Sequence, residues 1–314
     1  MTVNDHPLPC LCVTGPTACG KTDLALALAD EYALEIISMD SAMVYRGMDI
    51  GTAKPAREIL AQVPHHLVDI REPTAAYSAG RFAADARAAI GRIRARGRMP
   101  LLVGGTLLYL RALRDGLATL PRANPAIRRR LDQEGERCGW ASLHARLEQV
   151  DAAAARRISP TDRQRIQRAL EVYELTGEPI SALQSHELSE SGIPVRAIAL
   201  IPSDRSRLAQ RIAQRFDTMV ANGFVDEVRA LRARGDLSPA MSSMRTIGYR
   251  QIWSHLDGDC GWDETRCKAI AATRQLAKRQ LTWLRSDSAV RQVPADASKA
   301  RPYVGQLLRE FQGG

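Results

Sequence analysis

The N-terminal part of the chain alternates short apolar runs with amphipathic stretches. Leu8 to Thr14 is apolar and ends in a glycine-rich loop; Lys21 to Leu34 then carries apolar residues at helical spacing (Leu24, Leu28, Tyr32). Strand, loop and helix are therefore predicted in that order. Glu35 to Asp40 predicts a second strand, apolar at Ile36 and Ile37 and closed by a carboxylate. Ala79 to Arg96 repeats apolar positions at Phe82, Ala86, Ile90 and Ile93, which predicts a helix with an arginine-rich outer face. Pro100 to Val103 predicts a third strand running into Gly104-Gly105-Thr106, and Leu107 to Leu113 starts another helix. Strands alternating with helices predict an α/β core, a parallel sheet covered on both faces.

The pattern changes after Gly116. From Pro121 to about Ser191 only helical segments are predicted, broken by Pro125, Gly139, Pro160 and Gly177-Glu178-Pro179. Val195 to Ile201 reads as a strand again, closed by Pro202, and the rest is helical with a loose tail after Asp287. The predicted organisation is a core whose first part spans residues 1–120, a helical insertion over 121–194, and the second part of the core with C-terminal helices over 195–314.

Composition adds exclusions. Hydrophobic residues at 45% and charged residues at 25% of 314 are globular values, which exclude disorder. No apolar run approaches the roughly 18–20 residues of a membrane span. Met1 to Pro9 lacks the basic start of a signal peptide, so a cytoplasmic location is expected, with no membrane association. The six cysteines include no Cys-x-x-Cys pair, and Cys10 and Cys12 share one face of a strand, which favours buried reduced thiols over a zinc site.

The net charge of +9 favours a polyanionic partner if the cations cluster. From Lys268 to Arg285 there are five basic residues and no acid. At about 100° per residue, Arg274, Lys278 and Arg285 fall on one stripe, with Leu276, Trp283 and Leu284 expected on the core side. Arg163, Arg165 and Arg168 form a second group in the insertion, flanked by Asp162 and Glu171. His65 and His66, adjacent on a strand, point to opposite faces and favour a structural role.

Gly15-Pro16-Thr17-Ala18-Cys19-Gly20-Lys21-Thr22 fits G-x-x-x-x-G-K-[ST] between an apolar strand and a helix. Glycines let successive backbone N–H groups turn inward towards phosphate oxygens, and the helix start adds its dipole. Lys21 contributes a full charge, and the Thr22 hydroxyl can hold Mg²⁺. The core is accordingly of the P-loop NTPase-like kind, and a nucleotide is the commonest ligand of such loops. Yet Leu101-Leu102-Val103 ends in glycines where an ATPase places an aspartate, and the strand that does end in an acid is the one before Asp40. There Asp40 would serve as a substrate-facing base or a second metal ligand. A small-molecule kinase using ATP stays open on these residues alone.

Those residues also resemble a family, the tRNA dimethylallyltransferases (tRNA isopentenyltransferases). The phosphate loop matches, with Cys19 where the family usually has serine or a similar small residue. So do Asp40 through Pro55, Pro64 to Asp69, Ala76-Tyr77-Ser78, Gly104 through Tyr109, Gln164 through Val172, Arg215-Phe216, Arg245 through Gln251 and Lys278 through Arg285, in order along nearly the whole chain. The resemblance implies that Gly15 to Thr22 bind the diphosphate of dimethylallyl diphosphate with Mg²⁺ as cofactor, held by Thr22, and that no nucleoside triphosphate is consumed. The acceptor it implies is N6 of the adenosine on the 3′ side of the anticodon in tRNA, with the anticodon stem-loop as the partner and a monomeric enzyme. It implies catalytic roles for Asp40 (base), Lys21, Thr22 and Arg215. It implies tRNA contacts by Asp40, Ser41, Ala42, Met43, Thr106 and Arg128; by Gln164, Arg165, Ile166, Gln167 and Arg168; by Arg245, Thr246, Ile247, Gly248, Tyr249 and Arg250; and by Lys278, Arg279, Gln280, Leu281, Thr282, Trp283, Leu284 and Arg285. Such chemistry suits the residues. Negative charge grows on the departing diphosphate, where fixed donors stabilise it. The weakly nucleophilic exocyclic amine benefits from a carboxylate that takes its proton, and a loop adenine is cheap to extrude into a pocket.

Overall fold

The protein is described by a computed structural model covering residues 9–185 and 192–312. The reading of the N-terminus as free of a signal sequence, the start of the first strand at Leu8 and the end of the insertion at Ser191 lie outside the described residues. The chain divides into two compact units, residues 1–114 with 193–314, and residues 115–192.

The first unit is the α/β core. Its first part runs β1 (Cys10–Thr14), α1 (Lys21–Ala29), β2 (Leu34–Ser38), α2 (Arg57–Gln62), β3 (His65–His66), α3 (Ala79–Ala95), β4 (Met99–Val103) and α4 (Leu107–Arg114). The second unit supplies α5 (Pro125–Cys138), α6 (Trp140–Val150), α7 (Ala152–Arg157), α8 (Arg163–Thr176) and α9 (Ile180–Ser185). The core then resumes with β5 (Val195–Ile201), α10 (Arg205–Ala221), α11 (Phe224–Ala233), α12 (Tyr249–Leu256), α13 (Trp262–Ser286), β6 (Val290–Pro294) and α14 (Ala297–Gln312).

The strands form one six-stranded sheet in the order β3-β2-β4-β1-β5-β6, every pair parallel. β1 and β2 are buried at every position, as strands covered on both faces must be. Register matters for the site. Ser38 pairs with Val103 and Val13 with Val103, so the segments leaving β1, β2 and β4 emerge side by side at the carboxyl edge. That edge is where open parallel sheets bind ligands.

Two expectations need correction. The first helix stops at Ala29, and Tyr32 belongs to the following turn, its hydroxyl donating to the Gly305 carbonyl at 3.3 Å. The segment after Asp287 is no loose tail. β6 extends the sheet, and Val293, Ala300, Val304, Leu307 and Leu308 share a core with Leu24 and Leu28 of α1. Charged and small residues dilute that pattern along the chain, so the burial becomes visible only when α1 is beside it.

The helical unit has its own core of Leu131, Leu143, Leu147, Ile166, Leu170 and Val172. Local chemistry sets its boundaries. The Asn124 side chain accepts from the Ala126 and Ile127 amides ahead of α5, with Pro125 in the first turn. Asp162 caps α8, and Gly177 ends it in the left-handed conformation.

Candidate active site

The phosphate loop opens at the end of β1. Gly15 (φ 149°) and Gly20 (φ 87°) take backbone angles that favour glycine, and Ala18 is itself at φ 62°. Gly15 also has no room for a Cβ, which would lie 2.8 Å from both Cys19 Sγ and the Leu200 carbonyl. The Lys21 ammonium folds back over the loop, donating to the Gly15 carbonyl at 3.1 Å and the Pro16 carbonyl at 2.7 Å. Thr22 follows in the first turn of α1.

Beside it, Gly104-Gly105-Thr106 leaves β4. A Cβ on Gly104 would sit 2.1 Å from the Met39 carbonyl, so glycine is what lets this turn touch the segment leaving β2. The Thr106 amide donates to that same Met39 carbonyl at 3.3 Å, and the Thr106 hydroxyl accepts the Ser41 amide at 3.1 Å. Asp40, between Met39 and Ser41, uses Oδ1 to accept the amides of Ala42 (2.8 Å) and Met43 (3.3 Å). This turn fixes the carboxylate and leaves Oδ2 outside it. The charge of Asp40, after burial and Tyr45, helps push the Tyr109 phenol above its ordinary range.

Arg215, on α10, faces the same place. Burial pushes its guanidinium below the ordinary range, and Asp40, Asp23 and Cys19 act in the opposite direction. Among the described residues it forms no ion pair. A half-buried guanidinium whose N–H donors no carboxylate contacts directly is able to take an anion. Arg215 also lines a cavity of about 760 Å³ with Asp49, Lys54, Arg57, Asp69 and Met219. The glycine-rich loop, Asp40 and Thr106 are thus grouped at one sheet edge. Helix α10, which carries Arg215, packs through Leu208 and Ile212 against Ala18 of the loop, while the cavity beside Arg215 is lined by none of these loop residues.

The expected RNA segments divide by exposure. Ser41, Arg245, Arg250, Lys278, Arg279, Thr282 and Arg285 are exposed, as is Arg274. The side chains of Ala42, Tyr249, Gln280, Leu281 and Leu284 are buried in the core unit, and that of Ile166 in the helical unit. These side chains face the interior, and the outward part of each segment narrows accordingly. Gly248 is enclosed too, since a Cβ there would meet the Phe224 ring at 2.8 Å. The core-facing stripe of α13 runs through Ala277, Gln280, Leu281 and Leu284, whereas Leu276 and Trp283, expected inside, are partly exposed at its edge. Packing of Ala277 and Leu281 on Leu208 and Ile212 of α10 sets that rotation.

Within the helical unit, Gln164 and Arg165 are exposed and Gln167 donates to Asp132 at 2.6 Å. Arg128 and Arg168 converge on Glu171, whose side chain is fully buried: Arg128 forks onto both oxygens at 2.9 Å, Arg168 donates at 2.8 Å, and the Asn124 amide adds a bond at 2.7 Å. Glu171 was expected only to flank the basic group of Arg163, Arg165 and Arg168; it holds one member, Arg168, together with Arg128 from α5. His66 likewise pairs with buried Glu35 at 2.6 Å, joined by Arg96 at 2.6 Å, in keeping with a structural role.

Some organising residues carry no motif. Glu227 accepts the successive amides of Asp49, Ile50 and Gly51 at 2.7–3.1 Å and the Tyr249 hydroxyl at 2.5 Å. Lys54, nearly buried, is held by Asp49, by Asp69 and by the Tyr45 carbonyl. The matched block Asp40 through Pro55 contains Lys54, but nothing local signals Glu227, whose partners lie far away in sequence.

With this geometry in view, the molecule is an α/β protein with a six-stranded parallel sheet, whose glycine-rich loop and Asp40 leave β1 and β2, on either side of β4, at one edge. The sequence profile described as IPP transferase matches residues 43–287, and the chain belongs to that family. A tRNA dimethylallyltransferase of Ralstonia nicotianae is 55% identical over 98% of both chains, and one of Bordetella petrii is 57% identical over 88% of this chain and 90% of its own. The crystal structure of the full-length tRNA isopentenylpyrophosphate transferase from Bacillus halodurans is 34% identical, covers 98% of this chain and 99% of its own, and superimposes with a TM-score of 0.69. A eukaryotic dimethylallyltransferase crystallised acting on tRNA shares the fold at a TM-score of 0.76 and 24% identity, over 92% of this chain and 74% of its own. None of these relatives is a kinase. Among the described residues no helix is long and apolar enough to cross a membrane.

Proposed function

We propose that the chain transfers a dimethylallyl group from dimethylallyl diphosphate to N6 of the adenosine on the 3′ side of the anticodon in tRNA, releasing diphosphate. One observation carries the reading: the glycine-rich loop and Asp40 leave β1 and β2, on either side of β4, at one sheet edge, with α10, the helix of Arg215, packed against Ala18 of the loop. The loop amides and Lys21, which leaves its carbonyl partners for the anion, bind the diphosphate. Arg215 adds charge where the leaving oxygens become more negative, and a lost donor of this kind costs about 3 kcal/mol. The allylic C–O bond breaks and its electron pair leaves with diphosphate. The adenine nitrogen forms the C–N bond and passes its proton to Asp40 Oδ2. Thr106 and Ser41, joined by a hydrogen bond, keep the Asp40 turn in place.

Mg²⁺ suits this donor set. The ion typically uses one or two protein groups and completes its shell with substrate phosphates and water. Thr22 offers a hydroxyl beside the cradle, and among the described residues no group of three or more His, Cys, Asp or Glu could cage a metal by itself. Thr22 would hold the ion, which would offset charge on the leaving group.

The ligand of the loop is tested by product release. With tRNA and dimethylallyl diphosphate supplied and ATP omitted, diphosphate should appear at the full rate and only when RNA is present. A requirement for ATP, or ADP as the product, would refute the reading in favour of a kinase.

A further inference from the structure

Gln280 lies in the α13 segment expected to face RNA, yet its side chain is 8% exposed and points the other way. Its Oε1 accepts the Thr17 amide of the phosphate loop at 3.0 Å, and its Nε2 donates to the Gly105 carbonyl at 2.8 Å. One carboxamide thus joins the loop after β1 to the turn after β4, filling both of its polar ends. Gly105 is shaped around it: a Cβ there would come within 2.5 Å of Gln280 Nε2. Two bonds of this length, to backbone groups far apart in sequence, add to the Lys21 bonds that shape the loop from within and tie it to the turn after β4. Arg274, Lys278, Arg279 and Arg285 stand exposed on the same helix.

We propose that Gln280 is a positioning residue for the diphosphate cradle, fastening the Thr17 amide and the Gly105 carbonyl to the helix whose outer face carries these cations, and is not itself an RNA contact. The inference rests on the reading of Gly15 to Thr22 as a diphosphate site. Without the carboxamide, a loop amide and a turn carbonyl lose their partners, and the cradle no longer waits in its binding shape.

The test titrates inorganic diphosphate with Mg²⁺, and separately an anticodon stem-loop RNA, into the full chain and its variants. Gln280→Met, similar in shape but without hydrogen-bonding ends, should weaken diphosphate binding about tenfold and raise the donor KM more than it lowers kcat. RNA affinity should stay within about twofold. Gln280→Glu keeps an acceptor for Thr17 but sets a carboxylate against the Gly105 carbonyl and beside the anion, so it should weaken diphosphate binding at least as much. Gly105→Ala, whose Cβ would push the Gln280 amide aside, should weaken diphosphate binding while RNA affinity stays unchanged. Unchanged diphosphate affinity in Gln280→Met, or a loss confined to RNA binding, would each overturn the inference. If Gln280→Met fails to fold, Gln280→Glu and Gly105→Ala supply the same comparison. A wild-type protein that binds no diphosphate would overturn the cradle reading and this inference together, whereas wild-type binding with indifferent variants would overturn the inference alone.

Discussion

Individual side chains at the sheet edge do separable work, and substitutions should separate it. Lys21 already sits over the loop it would share with an anion. Lys21→Ala should therefore lower kcat by about 10²–10³-fold while stem-loop RNA binds with wild-type affinity. A matching loss of RNA binding would place Lys21 elsewhere in the mechanism. Asp40 needs a gentler change, because its Oδ1 also holds the Ala42 and Met43 amides. Asp40→Asn keeps that acceptor and removes the base. Turnover should fall by about 10²–10⁴-fold with diphosphate affinity unchanged; wild-type turnover would end the proton-acceptor role.

Helices and loops show what the chain made legible and what it hid. The glycine-rich loop between β1 and α1 was readable because its shape is local: a strand end, glycines and a helix start within a few positions. The α13 stripe was readable in part. Arg274, Lys278 and Arg285 are exposed as their spacing requires, but the buried side turned out to include polar Gln280, which hydrophobic patterning cannot assign. Glu227 was invisible for the same reason, since its value comes from three amides about 180 residues away in the chain. For the exposed stripe the expectation is electrostatic. Arg285→Ala should weaken RNA binding and flatten its log–log salt dependence by about one unit. A variant with the wild-type slope would remove Arg285 from the interface.

Each unit also rests on a buried carboxylate held by arginines. In the core, burial works to raise the Glu35 carboxyl, but hydrogen bonds from Arg96 and His66 override it and hold the group below 4.5. A carboxylate depressed in the folded state stabilises fully above its unfolded value and loses that contribution as pH falls through the folded one. Wild type should therefore lose stability towards acid below about pH 4.5 more steeply than Glu35→Gln, as read by urea denaturation; parallel curves would contradict this. In the helical unit, removing Glu171 strands Arg128, Arg168 and the Asn124 amide. Glu171→Ala should cost about 2–3 kcal/mol, less than a fully buried pair because both guanidiniums reach water, measured by chemical denaturation. The parallel sheet and the helical insertion were predictable from alternating periodicities. The closing strand and helix after Asp287 were not, because their apolar positions are sparse and gain meaning only against α1.

The reaction itself is the most direct check. Unmodified tRNA incubated with the protein, Mg²⁺ and dimethylallyl diphosphate labelled in the alkyl group should, after digestion to nucleosides, yield label only in N6-dimethylallyl adenosine from the position 3′ of the anticodon. Label absent from the RNA, or attached to another nucleoside, would contradict the account.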